Sequence, residues 1–178
     1  IDTIVHQNVG TIDQRFGIGK LPRAVTFAPN GKRAYVTNFS DNSVSVVTVR
    51  FNEVIKRDVS SGSDIIRVGD GPFGVAVTPD GKRAYVSNEL DNTISVINVD
   101  PKSPAFHVVL ETIPVGEFPT GIAVTPDGTK VYVGHLTRQG KESPATLTII
   151  EVATNQVLKT IEFQPQAFSR PVAIGMMP

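Results

Sequence analysis

No cysteine occurs in the 178 residues, which excludes disulfides, thiolate metal sites and cysteine nucleophiles and leaves the redox compartment open. Net charge is missing too: 17 Lys and Arg offset 17 Asp and Glu, so nothing in the charge points to nucleic acid. No apolar run approaches the ~20 residues of a membrane-spanning helix, and no such span is expected. The chain opens at Ile1 with neither Met nor a basic-then-apolar leader, so the expectation is either a removed leader or a fragment. What is left is a chain 40% apolar and 19% charged, an ordinary globular composition. Its length suffices to bury roughly 70% of the surface its unfolded form would expose.

The sequence is rich, by contrast, in self-similarity. "LPRAVTFAPNGKRAYVTN" (21–38), "GPFGVAVTPDGKRAYVSN" (71–88) and "FPTGIAVTPDGTKVYVGH" (118–135) align without a gap, which spaces Tyr35, Tyr85 and Tyr132 50 and 47 residues apart. A fourth copy starts at "RPVAIGMMP" and stops at Pro178. Each copy holds two short β-branched or aromatic runs separated by a turn such as Pro79-Asp80-Gly81. There Pro presets φ, Asp bonds back to the following backbone and Gly accepts positive φ. An Asx-rich reversal ("SDNS", "LDNT") leads into a third, alternating run, "VSVVTV" or "ISVINV". A fourth run closes each unit: "DIIRVG" (64–69), "ETIPVG" (111–116) and "KTIEFQ" (159–164). No helical periodicity lies between them.

Four antiparallel strands in a unit of this length predict an all-β chain of β-propeller blades, each sheet burying both faces against its neighbours. Val25, Phe27, Val75, Val77, Ile122 and Val124 are expected on one blade interface, and Ala24, Thr26, Ala76, Thr78, Ala123 and Thr125 on the opposite, tighter one. "IDTIVHQNVGTI" aligns with "IEVATNQVLKTI", so the chain is expected to open inside a blade. The expected division is residues 1–17 as outer strands of a blade, 18–67, 68–115 and 116–164 as three whole blades, and 165–178 as the inner strand of a further one. A ring closed from this chain alone would have an unpaired strand edge, so further blades or a second chain are expected to complete it.

Tyr35-Val36-Thr37-Asn38 after "APNGKRA", and Tyr85-Val86-Ser87-Asn88 after "TPDGKRA", closely resemble the YVTN-type β-propeller repeat family over nearly the whole chain. The resemblance implies a secreted, periplasmic or surface-layer-like protein, commonly a seven-bladed ring. Similar repeats occur in adhesion proteins, haem-d1-binding propellers and streptogramin-type lyases. The third copy departs from the pattern at Gly134-His135, and its loop "LTRQGKESPA" (136–145), which includes Arg138, is longer than its counterparts and reads as a contact loop.

His135 replaces Asn38 and Asn88 at a strand end, where an imidazole could serve as axial ligand or proton carrier, or simply bond its own loop. His6 and His107 fall far from it in the repeat, so no three-His metal site is expected. Asp41, Asn42, Asp91 and Asn92 lack a calcium-loop pattern and read as turn formers. "GIG" and "GDG" each lead into a strand, without the helix N-terminus that would hold a phosphate. No Gly-x-Ser-x-Gly elbow or Ser-His-acid spacing supports nucleophilic catalysis. Arg23, Phe73, Thr120 and Arg170 start the innermost strands and are expected to ring one mouth of the central channel, where arginines beside an aromatic suit an anionic or planar ligand.

The expected function is a non-catalytic binding or scaffolding propeller of the periplasm or cell surface, without cofactor or metal. Its expected partner, a protein, a second chain or a small ligand, sits on the face bearing Arg23, Phe73, Asn38, Asn88, His135, Arg138 and Arg170. The alternatives are a propeller associated with a haem-type or quinone cofactor and, further off, a streptogramin-lyase-like enzyme.

Overall fold

The computed structural model describes residues 19–50, 53–54, 65–136 and 145–163. The turn tripeptides form the hairpins that their chemistry dictates. Gly81 sits at φ +69°, its N–H bonded to Thr78 O at 2.8 Å, and Thr78 N closes onto Arg83 O at 2.9 Å. The Pro29-Asn30-Gly31 and Pro126-Asp127-Gly128 turns repeat this pattern. They join β1 (Pro22–Phe27) to β2 (Arg33–Asn38), β6 (Pro72–Val77) to β7 (Arg83–Asn88), and β10 (Pro119–Val124) to β11 (Lys130–His135).

The third strands are β3 (Ser43–Arg50), β8 (Thr93–Asn98) and β12 (Thr146–Glu151), and the fourth strands of the second and third blades are β9 (Val109–Pro114) and β13 (Val157–Glu162). The second and third sheets run in the simple orders β6-β7-β8-β9 and β10-β11-β12-β13, antiparallel throughout. In the first sheet the outer position is divided. β5 (Ile65–Arg67) pairs with Ser43–Ser45, and β4 (Glu53–Val54) pairs with Val49–Arg50 of the same long β3. The expected run 64–69 is therefore paired only over its middle. The chain is all-β, a partial propeller of four-stranded antiparallel blades.

The sheets meet along their first strands, β1 against β6 and β6 against β10. Between the first two blades Tyr35, Val44, Val46 and Ile66 pack on Val75, Ala84, Val86 and Ile97, with Ala24 and Val77 at the edge. Between the second and third, Tyr85, Ile94, Val96 and Ile113 pack on Ile122, Val131, Val133 and Ile150, with Ala76 and Val124 alongside. Val75 and Ile122 thus look back to the preceding blade while Ala24 and Ala76 look forward, which is the division of faces that strand alternation requires. Val25 and Phe27 lie on the backward face of the first blade and are exposed.

Candidate functional site

The first two strands of every blade slip register at the same place. Pro22 pairs with Asn38 and Val25 with Val36, so Arg23 and Ala24 together oppose Thr37. Pro72/Val75 and Pro119/Ile122 repeat the slip. Such a bulge leaves a backbone group unpaired and re-aims a side chain. The hydroxyl of the repeat motif repairs the ladder. Ala24 N–H donates to Thr37 Oγ1 at 3.0 Å, and that hydroxyl donates to Phe73 O of the next blade at 2.8 Å. Gly74 N–H donates to Ser87 Oγ at 2.8 Å, and Ser87 to Thr120 O at 2.6 Å. The third letter of the motif is therefore a tie between blades.

The bulge presents Arg23, Phe73 and Thr120 at one end of the inner strands. The Arg23 guanidinium carbon lies 4.9 Å from the centre of the Phe39 ring and 5.6 Å from that of Phe73, within cation–π reach of aromatic rings of two blades. Arg23 is exposed, Phe39 and Phe73 are half-buried, and no described residue accepts a hydrogen bond from the guanidinium. Burial raises the Glu89 carboxyl above its ordinary value, against the attraction of Arg23. Thr120 is buried, its hydroxyl donating to Gly134 O at 3.3 Å. Phe39 was not legible as part of this cluster from the sequence, because its repeat equivalents are Glu89 and Leu136 and no pattern marks the position.

Asn38, Asn88 and His135 do not present themselves to a partner, a correction to the expectation: their exposures are 0%, 0% and 2%. Each opposes the first residue of the third strand and is spent on it or on that strand's neighbours. Asn38 Nδ2 donates to Ser43 and Ser45 at 3.1 and 2.9 Å, and Asn88 Nδ2 to Thr93 and Ser95, both at 2.9 Å. His135 Nδ1 lies 3.0 Å from Glu117 O, an acceptor only, so Nδ1 carries the proton and Nε2 accepts from Thr148 Oγ1 at 2.8 Å. Burial lowers the pKa of His135, with the carbonyls of Glu117 and Gly116 opposing the shift. A hydroxyl bonded to an imidazole has the form of a nucleophile–base pair. Here the Thr148 hydroxyl is at 0% exposure. Arg138 and Arg170 lie outside the described residues, as does His6.

The Asx residues do more than turn the chain. Asp41 and Asp91 accept the N–H groups of Lys20 and Asp70, both at 2.7 Å, and Asn42 and Asn92 accept those of Gly71 and Phe118 at 3.1 and 2.9 Å. They hold the connections that enter each blade. Among the described residues no group of His, Asp and Glu is placed to hold a metal ion.

Two clefts open at the opposite, hairpin end. One of about 480 Å³ is lined by Asp80, Lys82, Arg83 and Asp127, and another of about 290 Å³ by Arg33, Tyr35, Lys82, Asp100 and Lys102. Their carboxylates are engaged in turns. Asp127 accepts from Thr125 and Thr129, which holds its carboxyl down at about 2. At Asp80 burial acts upward, but hydrogen bonds from Thr78 and the Lys82 backbone and the nearby cations bring the net shift down.

The family described as "Lactonase, 7-bladed beta-propeller" matches residues 7–139 and, in an overlapping match, 61–172. The chain belongs to this lactonase propeller family. Among solved structures, hydrazine synthase from Kuenenia stuttgartiensis is 25% identical with a TM-score of 0.68, over 97% of this chain and 42% of that one. A candidate 6-phosphogluconolactonase from Bacteroides fragilis NCTC 9343 is 17% identical with a TM-score of 0.66, over 91% of this chain and 47% of that one. A second, from Bacteroides uniformis ATCC 8492, is 19% identical with a TM-score of 0.61, over 88% and 44%. The last two likenesses speak for the fold of this lactonase-family chain and for nothing finer. The chain spans less than half the length of each of these structures. No curated protein matches its sequence.

Proposed function

We propose that this chain is part of a non-catalytic binding or scaffolding propeller of the periplasm or cell surface, engaging a protein or small ligand through the blade end that carries Arg23 and Phe73. The reading includes neither cofactor nor metal, and it has further blades or a second chain completing the ring. One observation carries it. The polar side chains of the repeat motif are spent inside the fold, whereas Arg23 stands exposed beside two aromatic rings with no hydrogen-bond acceptor among the described residues. An arginine so oriented suits recognition of an anion, and aromatic and arginine side chains are enriched where proteins bind. The YVTN-like motif supports the extracytoplasmic location, which fractionation of the source cells tests directly.

A second reading, hydrolysis of a sugar lactone, is favoured by the family match and by the two neighbours described as candidate 6-phosphogluconolactonases. Proton release from 6-phosphogluconolactone by the purified full-length protein separates the two. The binding reading expects the spontaneous rate, and turnover above it would establish the enzyme. A visible absorption band in the native protein would instead favour the haem-type or quinoprotein alternative. Activity lost on chelation would favour the lyase-like one.

A further inference from the structure

We propose that the Arg23 face docks an apolar peptide segment of a partner protein bearing a carboxylate, with Leu21 and Leu90 supplying the apolar contacts. This rests on the reading of the chain as a binding propeller and specifies the chemistry of what is bound.

The backbone supplies the first argument. The residue before the opening proline of each blade is left-handed, with Leu21 at φ 55°, Gly71 at φ 63° and Phe118 at φ 51°. The fold demands this, because the carbonyl at that position accepts the N–H of the residue following the motif: Leu21 O from Phe39 at 3.0 Å, Gly71 O from Glu89 at 2.9 Å, and Phe118 O from Leu136 at 3.0 Å. Glycine meets the demand without strain, and the second blade uses it. Leu21, like Phe118 in the third blade, takes a conformation that L residues disfavour, and at 49% exposure it is open to contact.

The apolar surface is continuous. A Cβ on Gly71 would fall 2.7 Å from Leu90 Cγ and 3.1 Å from Phe39 Cε2, so the missing side chain makes room for these two. Leu90 is itself 56% exposed. Leu90, Phe39 and Phe73 thus form an apolar surface around Arg23, with Leu21 two residues before it on the same entry.

Arg23 supplies the charge complementarity. The guanidinium lies close to two aromatic rings, and its planar N–H fork matches a carboxylate. Glu89, half-buried beside it, adds a negative charge that a partner's carboxylate competes with rather than reinforces.

The test uses the full-length protein and fluorescence anisotropy of two labelled peptide amides, Leu-Leu-Asp-Leu-Leu and Leu-Leu-Asn-Leu-Leu. The Asp peptide is expected to bind about tenfold more tightly, the gain from a charge-assisted over a neutral hydrogen bond. Arg23→Gln should erase that preference, and Leu90→Ser should weaken both peptides. Leu21→Gly should weaken both while raising the melting temperature by about 2–4 °C through relief of strain. Equal binding of the two peptides overturns the carboxylate assignment and leaves the binding face standing. Binding of neither overturns both. Leu21→Gly that lowers the melting temperature, or leaves both affinities unchanged, overturns the role given to Leu21.

Discussion

Tyr85 donates its phenolic hydrogen to Asn155 Oδ1 of the following blade across 2.8 Å. Tyr35 stands in the same relation to His107 Nε2 at 3.4 Å. Asn155 and His107 both sit at positive φ, 58° and 62°, in the connection between third and fourth strands. The first letter of the motif is therefore a latch from one blade to the next turn, just as its third letter ties one blade to the next inner strand. Asn155 passes the contact on, donating from Nδ2 to Glu111 at 2.7 Å.

Tyr85→Phe should cost about 1 kcal/mol, the net value of one buried hydrogen bond, because Arg83 remains as a donor near Asn155 Oδ1. Tyr35→Phe should cost less, since its bond is longer. Paired urea denaturation curves measure the difference, and an equal or greater loss at Tyr35 would contradict the ranking.

A Cβ on Gly74 would meet Thr120 O at 2.3 Å, a backbone atom of the neighbouring inner strand that cannot rotate away. Gly74→Ala should therefore cost about 3 kcal/mol, the upper range of overpacking, by forcing two blades apart. Gly31→Ala is the control: its φ is +66° but nothing lies within 4 Å, so only the turn's strain is paid, about 1 kcal/mol. Thermal unfolding of both variants would expose an error if Gly31→Ala proved the worse.

Gly74 also shows where the sequence was readable and where it was not. Strand order, hairpin turns and the faces of Val75 and Ala76 follow from local chemistry and alternation, which sequence displays directly. The bulge does not, because it answers to the backbone of another blade. Its sequence trace is a glycine inside a strand at 74 and 121, a known mark of bulges and close approach. Burial of Asn38 and Asn88 was equally hidden. An asparagine at a strand end looks solvent-facing until the register sets Ser43 and Ser45, or Thr93 and Ser95, within its reach. Phe39, the second ring beside Arg23, opens a 3-10 turn (Phe39–Asp41) at a position where each blade carries a different residue, and only the fold brings it there.

His135 should make stability depend on acid. Its folded pKa lies below the ordinary 6.5 because burial disfavours the charged ring. As pH falls through 6.5 the unfolded chain takes up this proton while the folded chain does not. The unfolded state then holds more protons, and stability declines from pH 6.5 down to the depressed folded value, with no contribution above pH 6.5. Protonation would also turn Nε2 into a donor against the Thr148 hydroxyl. His135→Asn, which restores the residue used by the other blades, should flatten that acid-side slope. Parallel slopes for wild type and variant between pH 5 and 6.5 would rule the mechanism out.

Ser87 offers the most direct test of the tie between blades. Its hydroxyl accepts from Gly74 N–H and donates to Thr120 O, and the residue is fully buried. Ser87→Ala leaves one donor and one acceptor without partners in a place water does not reach, so a loss of about 2 kcal/mol is expected. Ser87→Thr keeps the hydroxyl, and Thr37 performs the same two contacts in the first blade at 3.0 and 2.8 Å. The threonine variant should therefore retain most of the lost stability. If it unfolds as readily as the alanine variant, the methyl group's fit rather than the hydroxyl's bonds governs this position.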